Sequence, residues 1–179
     1  MSTRREWLGL SAGAAAALAF NPGLLWATRL ELITRAIPST GERLPIVGLG
    51  SSASFGQSAA APDVSGLREV MRTLIDGGGT VFDTAPSYAG GASETTAGRI
   101  AKDLGITDKV FWATKVNAAS MQGGGNADPA VARRQLQTSL QRLGKRPIDL
   151  IQVHNLGDVK THMGLLKEMK QEGTIRYIG

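Results

Sequence analysis

The chain has 179 residues, 42% hydrophobic and 20% charged, an ordinary globular mixture with enough length for one sizeable core. Its net charge of +5 is spread along the sequence without a dense basic block, which does not support a nucleic-acid footprint. No cysteine occurs, so thiol catalysis, thiolate metal sites and disulfides are excluded together.

Residues 1–30 stand apart from the rest. Arg4-Arg5 precede an apolar, alanine-rich run from Leu8 to Phe20, which Asn21-Pro22-Gly23 breaks. The run is shorter than the roughly 20 residues a membrane helix needs, so no stable membrane span is expected. Charge, apolar run and breaker in that order read as a twin-arginine export signal with its linker, directing the chain to the periplasm. An alanine-rich helix docked on the domain is the alternative. Cleavage fits Ala17-Leu18-Ala19 or Trp26-Ala27.

Residues 31–179 read as one α/β domain. A small hairpin is expected from Leu32–Ile37 and Arg43–Ile46, followed by a first buried strand over Ile46–Gly50 and a small, flexible loop over Ser51–Ala61. Asp63 caps a helix with Leu67, Val70, Met71, Leu74 and Ile75 on one face, and Gly77 ends it. Thr80-Val81-Phe82 is the second strand and stops at Asp83. The pattern repeats: a helix carrying Ala97, Ile100, Ala101 and Leu104, a strand from Lys109 to Lys115, then a helix opened by Asp128-Pro129 with Leu136, Leu140 and Leu143 inward. A fourth strand covers Ile148–Val153, a helix with Met163, Leu166 and Met169 follows, and Thr174–Ile178 begins a fifth strand.

Apolar strands alternating with amphipathic helices imply a parallel sheet covered by helices. An open doubly wound sheet fits this length. A (β/α)₈ barrel typically needs about 250 residues, so it would be present as its first half, about five strands. The polar residues at successive strand ends, Gly50-Ser51, Asp83, Lys115 and His154, favour the barrel, whose strand ends converge on one mouth.

Other motifs are weaker. Gly48-Leu49-Gly50-Ser51-Ser52-Ala53 fits a loose dinucleotide fingerprint, but no helix is expected to open there, since Gly56 and Pro62 intervene. The glycines then mark either close approach of a ligand or a tight turn. Gly123-Gly124-Gly125 lacks the lysine of a phosphate loop and reads as a flexible loop. Neither His154 nor His162 has metal-ligand spacing, so no metal is expected, and His162 reads as a helix-surface residue.

The strand-end groups point to a chemistry. A carboxylate at Asp83 needs a cation, and Lys115 is the candidate. A phenol such as Tyr88 is too weak an acid to assist a carbonyl at neutral pH unless a nearby cation stabilises its phenolate, and Lys115 supplies one. His154 can hydrogen-bond and orient the carbonyl oxygen. The set is an acid catalyst for carbonyl reduction with a hydride from a cofactor. Taken singly, Asp83 and Lys115 are a structural ion pair and Tyr88 a loop aromatic.

From Ile33 onward the chain resembles an aldo/keto reductase. The match runs in order through Phe82-Asp83-Thr84-Ala85-Pro86-Ser87-Tyr88, Ser93-Glu94 with Gly98, Ala113-Thr114-Lys115-Val116, Asp149-Leu150-Ile151-Gln152-Val153-His154 and Gly173-Thr174-Ile175-Arg176-Tyr177-Ile178-Gly179. The resemblance implies a (β/α)₈ barrel, NADPH-dependent reduction of a small aldehyde or ketone, and a tetrad of Asp83, Tyr88, Lys115 and His154 with Tyr88 as proton donor. It also implies that Gly50, Ser51 and Asp83 border the NADP(H) nicotinamide. Two residues depart from the family pattern: Ala89 where glycine is usual and Asn155 where many members carry an aromatic. The Ser/Thr-Asn pair after the fifth strand and the adenosine-phosphate residues near the eighth do not occur in these 179 residues. A non-enzymatic half-barrel that pairs with itself or another chain through its open edge is the alternative.

Overall fold

The computed structural model describes residues 32–119 and 125–179, apart from the side chain of Ser54. The twin-arginine segment, its cleavage sites, and Gly123 and Gly124 lie outside the described residues. Residues Ile33–Gly179 form one unit.

The described chain begins with the expected hairpin, β1 (Thr34–Ala36) antiparallel to β2 (Arg43–Pro45). The next strand, β3, is only Leu49–Gly50, and Ile46 and Val47 ahead of it are 55% and 71% exposed. The physical reason is its place at a sheet edge: among the described residues β3 has a strand neighbour on one side only. Gly48 brings it close, since a Cβ there would sit 2.9 Å from the Val81 side chain.

A short helix, α1 (Ser54–Ser58), occupies the stretch expected to be a flexible loop and opens directly after Ala53. Tertiary contact accounts for it, because Phe55 is buried edge-on against Phe82, with ring centroids 5.2 Å apart. Then follow α2 (Ser65–Asp76), β4 (Val81–Asp83), α3 (Ala92–Leu104), β5 (Phe111–Val116), α4 (Pro129–Leu143), β6 (Ile148–Val153), α5 (Val159–Gln171) and β7 (Ile175–Ile178). The helix signals read as their chemistry dictates. Asp128 accepts from the Ala130 and Val131 amides with Pro129 in the first turn, and Gly144 ends α4 at φ +67°. Asp63 sits one residue outside the α2 cap but still takes the Ser65 amide at 2.8 Å. On α2 only Met71 is fully buried, and Val70 faces outward at 44% exposure.

The five parallel strands lie in the order β3-β4-β5-β6-β7. A doubly wound sheet reverses direction about its first strand, whereas strict sequential order is the winding of a barrel wall, so the fold is part of a (β/α)₈ barrel. Phe82, Trp112 and Ile151 lie under the helices with Ile100, Leu136, Leu143 and Leu166. Each such side chain contributes about 2–3 kcal/mol on burial. Gly98 lets α3 meet the end of α4, because a Cβ there would fall 2.0 Å from the Arg142 carbonyl oxygen. Among the described residues no helix is long and apolar enough to cross a membrane.

Candidate active site

Strand register sets the site. Gly50 lies opposite Asp83, Asp83 opposite Ala113, and Lys115 opposite Gln152. Side chains alternate along a strand, so Asp83, Lys115 and Gln152 share the face away from the helices, and His154 follows two residues on.

The four residues of the expected tetrad come together on this face. Lys115 Nζ donates to Asp83 Oδ1 at 2.5 Å and to the Thr84 carbonyl at 2.9 Å. The lysine side chain is 13% exposed and the aspartate 39%, so the pair straddles the boundary with solvent. Lys115 Nζ also lies 5.2 Å from the centre of the Tyr88 ring, and the His154 ring meets that ring edge-on at 5.8 Å. Burial, reinforced by the Lys115 charge and opposed by Asp83, holds the His154 imidazole below its ordinary pKa. At neutral pH it is therefore an uncharged ring with one donor and one acceptor nitrogen.

Ser51 joins them through the backbone, its amide donating to the Asp83 carbonyl at 3.0 Å. Gly50 faces open space, since a Cβ there would meet nothing within 4 Å. Among the described residues the buried side-chain polar atoms without a partner are Ser51 Oγ, Asn117 Oδ1, Gln152 Oε1, His154 Nδ1 and, on α4, Ser139 Oγ. Four of these five stand at the carboxyl ends of β3, β5 and β6. Each unpaired group costs about 1–3 kcal/mol. Their concentration at one end fits a ligand rich in donors and acceptors, as a nicotinamide is. Among the described residues no group of three or more His, Asp or Glu side chains could hold a metal ion. Two recesses, of about 420 Å³ at the end of α4 and about 570 Å³ beside the hairpin, contain none of the tetrad.

The sequence reading missed the supports beneath the site. Glu94, in the first turn of α3, is fully buried, where a first-turn acid is ordinarily solvated. It accepts from Thr114 Oγ1 at 2.7 Å and from Arg142 at 3.1 Å. Arg142 also reaches the Pro86 carbonyl, and its guanidinium fills the space a Cβ would need at Gly91. The segment carrying Tyr88 is thus tied to two helices and a strand. The signal in the chain was Glu94 itself, six residues after the tyrosine and within the Ser93-Glu94 family motif, but neither spacing nor motif shows burial.

His162 is the clearest correction. Read as a surface residue, it is fully buried, with Nε2 accepting from the Ala118 amide at 3.0 Å and Nδ1 against the Gly157 carbonyl at 2.7 Å. Helical periodicity placed Met163 inward, and it does pack partly buried against the core, but the loops over the start of α5 also cover the neighbouring His162.

A family model described as "Aldo/keto reductase family" matches residues 47–179. Aldo-keto reductase YhdN of Bacillus subtilis is 34% identical over 149 residues, 80% of this chain and 45% of that protein. Among solved structures, aldo-keto reductase AKR11C1 from Bacillus halodurans in its holo form superposes with a TM-score of 0.66 at 28% identity, covering 83% of this chain and 50% of that one. An aldo/keto reductase from Klebsiella pneumoniae in complex with NADP and acetate superposes with a TM-score of 0.62 at 26% identity, covering 78% and 46%. The chain spans about half the length of the curated relatives it matches.

Proposed function

Because the chain belongs to the aldo/keto reductase family, we propose that it carries the acid–base half of an NADP(H)-dependent reduction of a small aldehyde or ketone to an alcohol. The observation that carries this reading is the meeting of Asp83, Lys115, Tyr88 and His154 at one end of the sheet. Gly50, Ser51 and Asp83 would border bound NADPH, which would supply the hydride.

The chain's own residues do the rest. Asp83 and the Thr84 carbonyl occupy two of the three ammonium hydrogens of Lys115 and fix its position. The Lys115 ammonium stands beside the Tyr88 ring, and Tyr88 gives its proton to the carbonyl oxygen as that oxygen becomes an alkoxide, whose developing charge a nearby cation favours. His154, kept neutral, offers a ring N–H to the same oxygen and sets its angle. The NADP named with the Klebsiella relative supports the choice of cofactor.

NADPH consumption with simple aldehydes tests the reading on the 179-residue chain and its Tyr88→Phe variant. The expected loss is about 10²-fold or more. Equal rates remove Tyr88 from the role, and no turnover above background removes the activity from this chain.

A second reading has its own observation. Among the described residues β3 and β7 each have one strand neighbour, and exposed Ile46 and Val47 flank the β3 edge. Pairing of two copies along an edge follows from that, and a compact monomer on size exclusion counts against it. We also propose export by the twin-arginine route; secretion unaffected by an Arg4→Lys, Arg5→Lys double variant overturns it.

A further inference from the structure

His162 plays no part in the proton relay, yet both of its ring nitrogens are occupied. The Gly157 carbonyl can only accept, so Nδ1 carries the hydrogen, and the Asp158 carbonyl shares it at 3.1 Å. The Ala118 amide can only donate, so Nε2 is bare and accepts. Geometry alone therefore selects the neutral Nδ1–H tautomer.

The two backbone groups belong to different loops. Ala118 lies three residues beyond Lys115, in the segment leaving β5. Gly157 lies three residues beyond His154, in the segment leaving β6. That second segment is conformationally costly: Asn155, Leu156 and Asp158 are non-glycine residues at φ +56°, +55° and +37°. Each costs on the order of 1–3 kcal/mol and persists only where the surroundings over-determine it. One helical turn before His162, Asp158 adds a third tie, its Oδ2 accepting from the Ala127 amide at 2.8 Å while its Oδ1 takes the Thr161 amide. The first turn of α5 thus fastens both ends of the β5–α4 connection and the loop that follows His154.

We infer that His162 is a positioning residue, a neutral pin that fixes the Lys115 loop against the His154 loop and so sets where the His154 ring stands over Tyr88. Its importance for turnover rests on the reductase reading above, but the pin is a statement about two loops and is tested without turnover.

The chain contains two histidines, so their imidazole nitrogen resonances can be assigned without ambiguity. In the full 179-residue chain, His162 is expected as the Nδ1–H tautomer at neutral pH, with a slowly exchanging Ala118 amide. Two substitutions separate the arms. His162→Asn keeps a donor for Gly157 and loses the acceptor for Ala118, whereas His162→Gln keeps an acceptor for Ala118 and loses the Gly157 donor. Ala118 exchange should quicken at least 10-fold in His162→Asn and stay slow in His162→Gln. The His154 titration midpoint should rise in both variants, as the link between the loops is cut and the ring gains water, and rise further in His162→Gln, which frees the His154 loop itself. In parallel, kcat for aldehyde reduction should fall about 10-fold or more in His162→Gln.

An Nε2–H tautomer in the unsubstituted chain overturns the inference, as does a His154 titration identical in all three proteins. Loss of the fold in both variants also overturns it, because a residue that only positions loops leaves the sheet standing. Absence of turnover in every protein, with the resonance shifts as expected, removes the reductase reading and leaves the pin.

Discussion

The two ends of the sheet are built on opposite terms. At the amino ends of β6 and β7 nearly every charge is answered: Asp149, 1% exposed, takes Arg176 at 2.6 Å, Lys145 at 3.2 Å and the Trp112 amide at 2.8 Å. Arg176 and Tyr177 both continue to Glu42 in the hairpin. At the carboxyl ends, Ser51, Asn117, Gln152 and His154 keep buried atoms without partners. All four non-glycine residues of positive φ among the described residues, Ala89, Asn155, Leu156 and Asp158, lie in the loops there. One end is satisfied and relaxed, the other unsatisfied and strained. The contrast separates the end where the fold is held together from the end where the proposed site lies.

The contrast can be broken at the satisfied end first. Asp149→Ala removes three partners at once and exposes the Trp112 amide to an apolar setting. We expect a loss of about 3 kcal/mol in denaturant unfolding, kept below the full buried-pair figure because Arg176 remains 38% exposed and can find water. The His154 titration should stay where it was. Lys115→Met should cost less, about 1–2 kcal/mol, since Asp83 is 39% exposed, yet abolish carbonyl reduction.

Substitutions that delete an unpaired group or relieve strain at the carboxyl end should have the other sign. Ser51→Ala deletes an unpaired buried hydroxyl and should stabilise the chain by about 1 kcal/mol while weakening NADPH binding, read by unfolding and by cofactor titration. A destabilised Ser51→Ala chain shows that the hydroxyl has a partner in solution. Ala89→Gly relieves a left-handed backbone at φ +50° and should gain up to about 1 kcal/mol, the glycine's extra freedom in the unfolded chain offsetting part of it.

Acid separates the ends by pH with the smallest effect. His154 is held below its ordinary value, so below about pH 6.5 the unfolded chain binds its proton first and stability falls until the folded ring also protonates. The Tyr177 hydroxyl, with Arg176, holds the Glu42 carboxyl low against the opposing effect of burial. Its contribution is present above about pH 4.5 and fades as pH falls further. Asp63 and Asp158, held low by backbone amides, contribute in the same acid range. Unfolding followed against pH should show two shallow steps, and Glu42→Gln should reduce only the lower one.

Much of this was legible in the chain. The strands carrying Asp83, Lys115 and His154, the Asp128-Pro129 helix start and the glycine stops follow from short-range rules: side-chain alternation, amide capping and left-handed glycines. The Asp83–Lys115 pair was legible too, because a carboxylate at a strand end needs a cation and the next strand ended in one. Residue periodicity carried no information about α1, which Phe55 pins to Phe82, or about the truncation of β3 at a sheet edge.

The sequence by itself determined the order of elements and which groups stand at their ends, since both depend on neighbours within a few positions. Only the tertiary structure decided that Glu94 is buried under Arg142 and Thr114, that Ala89 holds a glycine's conformation, and that His162 faces inward between two loops. Those outcomes depend on which segments, distant in the chain, come to lie against a given side chain. Burial and hydrogen-bond partnership are properties of that meeting rather than of the residue.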